Sequence, residues 1–248
     1  MTFFNSKMLI LVVMSIKGLF PIDKWDFKSE SIFADLRPED FELLTAHKSE
    51  HVYKKNDILF REGTYPSGIF FINKGKVKKY KVDKDGKEQI IYLANTAQLI
   101  GYHAILSGDR YPDSAAVMEE SVITFIPKED FLKTLDQSPA LNKRLLKTLS
   151  HEFAVLANSL TMFAQKTVRE RLALQLIVIR EKHKVDAVEG APVEINISRE
   201  DLASLVGTAR ENVIRILTEF KEKGILETKG RKIIVKDINT LIKIANHK

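Results

Sequence analysis

The stretch ISREDLASLVGTARENVIRIL, residues 197–217, contains two short amphipathic runs separated by one glycine, Gly207. Ser198 and Asp201 have the spacing of a capping box, so a helix is expected to start there with Leu202 and Leu205 on its inner side. Gly207 permits a sharp turn, because a residue without Cβ enters the left-handed region at little cost. Thr208 is expected to cap the helix that follows. At about 100° per residue, Val213, Ile216, Leu217 and Phe220 share one face of that second helix. Glu211, Arg215 and Thr218 then point away from it, with Arg210 at its N-terminal tip. Beyond Gly224, ILETKGRKIIVKD (225–237) reads as two short strands around a Lys-Gly-Arg-Lys tip, a basic wing.

A helix carrying such residues at its exposed N-terminal end suits the DNA major groove. Arginine can donate twice to guanine O6 and N7, and glutamate can accept from cytosine N4. The plainer reading is a surface ion pair of Glu211 with Arg215, with Glu211 also bonded to Thr208. Charge distribution favours DNA. From Lys166 to Lys248 there are 17 Lys and Arg against 12 Asp and Glu, which accounts for +5 of the chain's net +6.

Upstream, no Gly or Pro occurs from Ala140 to Glu189. Leu146, Leu149, Phe153, Leu156, Leu160 and Phe163 recur at alternating steps of three and four, a heptad seam on a long helix. A seam this narrow predicts pairing with a second copy of the chain; the alternative is that it lies on its own β domain. TVRE (167–170) is a second capping box, so a new helix is expected after a hinge at 164–167. VDAVEGAPVE (185–194) is expected to be a linker.

Farther upstream, six of the eleven glycines lie between Gly63 and Gly108 and separate short β-rich runs. HVYKKNDILF (51–60), SGIFFINKG (67–75), KVKKYKV (76–82) and EQIIYLA (88–94) read as strands, with DKDG (83–86) as a hairpin. SAAVMEESVITFIP (114–127) continues the pattern, which suggests a small β-roll or barrel. KMLILVVMSI (7–16) is far shorter than the ~20 residues of a membrane span. No small-residue cleavage site follows it, so it reads as an apolar extension packed on the body, or as a sign that the native chain starts at Met8 or Met14.

The whole order resembles the CRP/FNR family of bacterial transcription regulators. The likeness rests on residues 197–217, including Arg210, Glu211 and Arg215, and on SIFADLRPEDFELL, VYKKNDILFREG and GIFFINKGKVKKYKVDKDGKEQIIYL. It covers about residues 30–240. It implies an α+β protein: an N-terminal double-stranded β-helix (jelly-roll) effector domain, a long dimerisation helix and a C-terminal winged helix-turn-helix. The expected domains are an extension at 1–30, a cyclic-nucleotide-binding-like β-roll at 31–137, the helix and hinge at 138–166, and the DNA-binding domain at 167–248. By the same resemblance Arg210 and Arg215 would read guanines and Glu211 a cytosine in a TGTGA-like half-site, with Thr208 and Asn212 nearby and Ser198 and Arg199 on phosphates. The partners implied are double-stranded DNA, a second copy of the chain and RNA polymerase, in the cytoplasm and away from any membrane.

Cyclic-AMP-binding members of that family carry a Gly-Glu pair for the ribose and an Arg-Ser pair for the cyclic phosphate. Here Gly101 is followed by Tyr102 and His103, and Asp113 precedes Ser114. A carboxylate facing a phosphate repels it, and the bidentate guanidinium is lost. Arg110 stands too far along the chain to substitute. Leu156 and Ala157 occupy positions where those members offer hydroxyls. Cyclic AMP in its usual pose is therefore not expected. With no cysteine, thiolate metal sites and the family's iron–sulfur cluster are excluded. A different small effector, a haem-like ligand on His103, or no ligand at all remain, with Tyr102 and His103 either lining or filling the pocket. Two other functions compete. One is a cupin-like metal enzyme, although there is no His-x-His and His47 and His51 lie at a helix-to-strand passage. The other is an effector-binding module whose helix–turn–helix has degenerated.

Overall fold

The structure is a computed structural model that describes residues 16, 19–26, 33, 36–184 and 193–246. Two compact units result, Phe27–Leu156 on one hand and Ala157–Lys248 with Met1–Asp26 on the other.

The first unit holds, in chain order, α1 (Pro38–Leu44), β1 (Ser49–Tyr53), β2 (Ile58–Phe60), β3 (Gly68–Lys74), β4 (Lys76–Val82), β5 (Glu88–Asn95), β6 (Leu99–Ile100), α2 (Tyr102–Ser107), β7 (Ser114–Val117), β8 (Ser121–Pro127), α3 (Lys128–Gln137) and the greater part of α4 (Pro139–Gln165). Its strands form two antiparallel sheets, β1-β8-β3-β6 and β2-β7-β4-β5. Alternate residues of each sheet, among them Phe60, Phe70, Ile72, Val77 and Ile123, meet in a shared core. A second core joins Ile69, Leu99 and Ile126 to Leu44, Tyr102, Phe131, Leu141 and Leu145 of the four helices. This is the small β-roll that the spacing of the strands suggests, in the jelly-roll form that the family resemblance implies.

Residues 51–60 are not one strand. Asp57 accepts from the Lys54 N–H at 2.7 Å and Asn56 has φ 73°, so Lys54–Asp57 turns the chain between β1 and β2. The two halves then pair in different sheets. The DKDG hairpin forms between β4 and β5, with the Asp83 carboxylate accepting from the N–H groups of Asp85 and Lys87.

The second unit contains the end of α4, then α5 (Val168–Lys184), β9 (Glu194–Asn196), α6 (Arg199–Val206), α7 (Arg210–Glu222), β10 (Leu226–Lys229), β11 (Lys232–Val235) and α8 (Ile238–Ile244). The break after α4 falls where the second capping box lies. Glu170 accepts from the Thr167 N–H at 2.7 Å and from its hydroxyl at 2.8 Å, and these bonds hold its carboxyl below the usual range. The linker expected at 185–194 lies outside the described residues apart from Val193 and Glu194, and Glu194 already belongs to β9. β9 joins β10 and β11 in a three-stranded sheet, so the wing has one more strand than its two-strand reading.

The described part of the N-terminal extension packs in this second unit. Ile16 and Phe20 are buried, and Ile22–Lys24 makes a single 3-10 turn. Asn158 donates to the Lys24 carbonyl at 2.9 Å, and Lys182 pairs with Asp26 at 2.7 Å with both side chains buried. Of the apolar run 7–16 only Ile16 is described, and no described helix is long and apolar enough to cross a membrane.

On α4 the heptad seam faces outward. Phe153 is 75% and Leu160 72% exposed, Leu146, Leu156 and Phe163 are exposed too, and only Leu149 leans on the second core. A neighbouring stripe of Leu141, Leu145, Thr148, Glu152 and Val155 is the buried one.

Candidate DNA interface and effector cavity

The helix–turn–helix is built by short-range bonds. Ser198 accepts from the Asp201 N–H at 2.9 Å and starts α6, and Gly207 ends it with φ 69°. Leu202, Leu205, Val213, Ile216, Leu217 and Phe220 are all buried, as their helical phase requires. Thr208 does not cap α7. The cap position is taken by Ala209, and the Thr208 hydroxyl instead accepts from the Asn212 amide at 3.2 Å. The helix starts one residue later than its threonine suggested, so the hydroxyl reaches a side chain rather than a free N–H.

Arg210, Glu211 and Arg215 are exposed on the outer face of α7. Glu211 and Arg215 pair neither with each other nor with another described residue. Arg210 pairs with Glu200, a partner that the sequence reading missed, at 2.5 Å. Both side chains are at least half exposed, so the pair contributes about 0–1 kcal/mol and exchanges readily for a nucleic-acid contact. Ser198 donates to the Asp201 carboxylate at 2.5 Å, so its hydroxyl is committed at both ends. Arg199 donates to the Gly230 carbonyl at 3.1 Å and the Arg231 carbonyl at 3.5 Å, tying the start of α6 to the tip of the wing. Burial lowers its pKa, but a guanidinium stays protonated.

In the β-roll unit a half-open cavity of 190 Å³ is lined by Lys79, Ile91, Tyr92, His103, Pro112, Asp113, Glu152 and Leu156. Gly101, at φ 88°, turns the chain into α2. Tyr102 is fully buried and fills the space beside the cavity, its hydroxyl donating to Glu152 Oε1 at 2.8 Å. His103 lines the cavity, stacks on Tyr102 with ring centres 4.2 Å apart, and sets Nε2 2.7 Å from Glu152 Oε2. Burial, then the adjacent Glu152 charge, pushes the Tyr102 hydroxyl far above the usual tyrosine range. Of the two fates open to these residues, Tyr102 takes one and His103 the other.

Asp113 does not stand alone. Lys79 Nζ lies 3.0 Å from its carboxylate, and both side chains are about nine-tenths buried. The cation at this position is thus already neutralised from within, and an incoming phosphate meets a closed ion pair. Ser114 accepts from the Glu62 N–H at 2.9 Å. Arg110 turns outward, donating to the Gly63 carbonyl and lying 4.1 Å over the Tyr65 ring. Leu156 lines the cavity; Ala157 is exposed and belongs to the second unit.

Lys79 and Glu152 were missed from the sequence. The signal for Lys79 was its phase with Val77 on β4, where a bulge between Lys79 and Tyr80 buries both. For Glu152 it was the second stripe of α4, one step round the helix from the seam. His47 sits 3.0 Å from Asp130, and His51 near Ser49 on β1. Among the described residues no group of three His, Asp or Glu could hold a metal ion.

Comparison with known proteins agrees with this division. The cyclic nucleotide-binding domain family matches residues 50–138, and the Crp-like helix-turn-helix domain family matches residues 170–244. The transcriptional activator protein anr of Pseudomonas aeruginosa is 26% identical over 192 residues, 77% of this chain and 78% of its own length. The fumarate and nitrate reduction regulatory protein of Escherichia coli is 25% identical over 194 residues, 78% of this chain and 77% of its own. In fold, the chain is similar to FixK2 from Bradyrhizobium japonicum, with a TM-score of 0.71 at 21% identity, covering 79% of this chain and 96% of that one. These relatives are regulators, which removes the cupin-like enzyme from consideration. With its β-roll, long helix and winged helix–turn–helix, the chain belongs to the CRP/FNR family of DNA-binding transcription regulators.

Proposed function

We propose that the protein binds a palindromic duplex as a homodimer, with Arg210, Glu211 and Arg215 reading base edges of a TGTGA-like half-site. The observation that carries this reading is the outer face of α7, where Glu211 and Arg215 stand exposed without an ion-pair partner among the described residues. The exposed seam of α4 supports pairing, because side chains of this size repeat along one line and leave apolar surface uncovered. A symmetric dimer would set two recognition helices about 34 Å apart, one turn of DNA.

The β-roll cavity would hold a small effector other than cyclic AMP and adjust DNA affinity from there. The Lys79–Asp113 pair supports the exclusion, since a cyclic phosphate would have to break it without gaining an arginine. The family likeness supports cytoplasmic residence and contact with RNA polymerase as parts of the same reading.

The test is salt-dependent binding of a fluorescent TGTGA palindrome beside a scrambled duplex. Selective binding that weakens about tenfold or more on Glu211→Ala or Arg215→Ala, roughly 1–3 kcal/mol per base contact, supports the reading. Equal affinity for both duplexes, unchanged in the double variant Arg210→Ala/Arg215→Ala, favours a module with degenerate DNA binding.

A further inference from the structure

One side chain ties the turn ahead of the recognition helix to the break between α4 and α5. Arg171 lies in the first turn of α5, its N–H bonded to the Thr167 carbonyl at 2.9 Å. Its guanidinium reaches three other carbonyls. Nη1 donates to Lys166 at 3.0 Å, at the break itself. Nε donates to Val206 at 2.9 Å and Nη2 to Gly207 at 3.2 Å, the last residue and the C-cap of α6. The same group lies 5.5 Å from the ring centre of Phe163, the last residue of the heptad seam.

All three acceptors lie at or just past helix C-termini, where carbonyls lack an intrahelical donor and the helix dipole favours a cation. Burial lowers the Arg171 pKa, and among the described residues no carboxylate pairs with it. A planar fork with five N–H donors can serve three carbonyls in different directions; a lysine ammonium on a flexible stem cannot hold the same set.

We infer that Arg171 is a positioning residue for DNA reading. It contacts no base. It fixes the α6–α7 turn against the last turns of α4, so that each recognition helix is presented at a set distance and angle from the pairing seam. This rests on the homodimer reading above, because a set distance matters only when two helices must meet two half-sites.

The experiment uses the full chain, Arg171→Gln, and Arg171→Lys, which keeps the charge and loses the fork. Binding is measured by fluorescence anisotropy on palindromes whose spacer is one or two base pairs shorter or longer than the preferred length, and on a scrambled duplex. Thermal unfolding is followed alongside. The wild type is expected to prefer one spacer. Both variants should lose about tenfold on that spacer, bind the others nearly as well as it, and keep wild-type affinity for the scrambled duplex. A spacer-selective wild type whose folded variants keep the same spacer profile would overturn the inference alone. So would a uniform loss on every duplex, scrambled included, which marks a merely structural role. A wild type indifferent to spacer length would refute the homodimer reading, and this inference with it.

Discussion

His103 Nε2 lies 2.7 Å from Glu152 Oε2, and the other oxygen of the same carboxylate accepts from Tyr102. One buried glutamate on α4 is therefore held by both residues that open α2, at the wall of the cavity. Glu152 immediately precedes Phe153 of the seam. A molecule displacing His103 would disturb the carboxylate and, through it, the helix that carries the exposed apolar line. The cavity wall and the exposed apolar line of α4 thus lie within one residue of each other along the helix.

Tyr102→Phe removes one donor from that carboxylate and leaves the ring in place. The expected cost is about 1–3 kcal/mol, the usual penalty for a buried acceptor losing a partner. Chemical denaturation should show a lower midpoint with an unchanged slope.

Lys79→Met strands the Asp113 carboxylate in a buried site. Breaking such a pair typically costs about 3–5 kcal/mol. Replacing both partners, as Lys79→Met/Asp113→Leu, should recover most of it, since the desolvation of two charges is then avoided. Thermal melts of the three proteins check the order: wild type and double variant close together, single variant well below.

Acid should weaken the β-roll unit through Asp40. Bonds from the Arg37 guanidinium, then from the Ser138 hydroxyl at 2.6 Å, hold this carboxyl below the usual range. A depressed folded pKa means that the stabilisation is fully present above the unfolded value of about 4. It is lost as pH falls through the folded value. Asp40→Asn should lower stability at neutral pH and flatten its decline in acid, as measured by denaturant midpoints across that range.

The chain has a single tryptophan, Trp25, which lines a 320 Å³ cleft with Thr161, Met162 and Lys166. Lys182→Met removes the buried ammonium beside Asp26 and should loosen residues 19–26 from α5. A red shift of tryptophan emission is expected, and an unchanged spectrum would show that the apolar contacts of Ile16 and Phe20 suffice to hold the segment.

The readings that succeeded concern residues close in sequence. Both capping boxes, the DKDG hairpin, the buried face of α7 and the basic wing follow from bonds or helical phase within a few residues. Thr208 shows the limit of that range, because a one-residue shift of the helix start handed the cap to Ala209. The split of 51–60 shows another, since a local turn at Asn56 outweighed a β-rich run.

Sequence by itself therefore determined the order of elements, the buried and exposed faces of α7 and the absence of thiolate chemistry, because each depends on residue type and short spacing. Only the tertiary structure decided how charges are spent. Asp113, just ahead of β7, finds Lys79 on β4, Glu152 collects two donors some 50 residues away, and Arg171 joins α5 to the end of α6. Each partner is chosen by which groups the fold buries together, where an unpaired charge or carbonyl is costly, and no spacing along the chain encodes that choice.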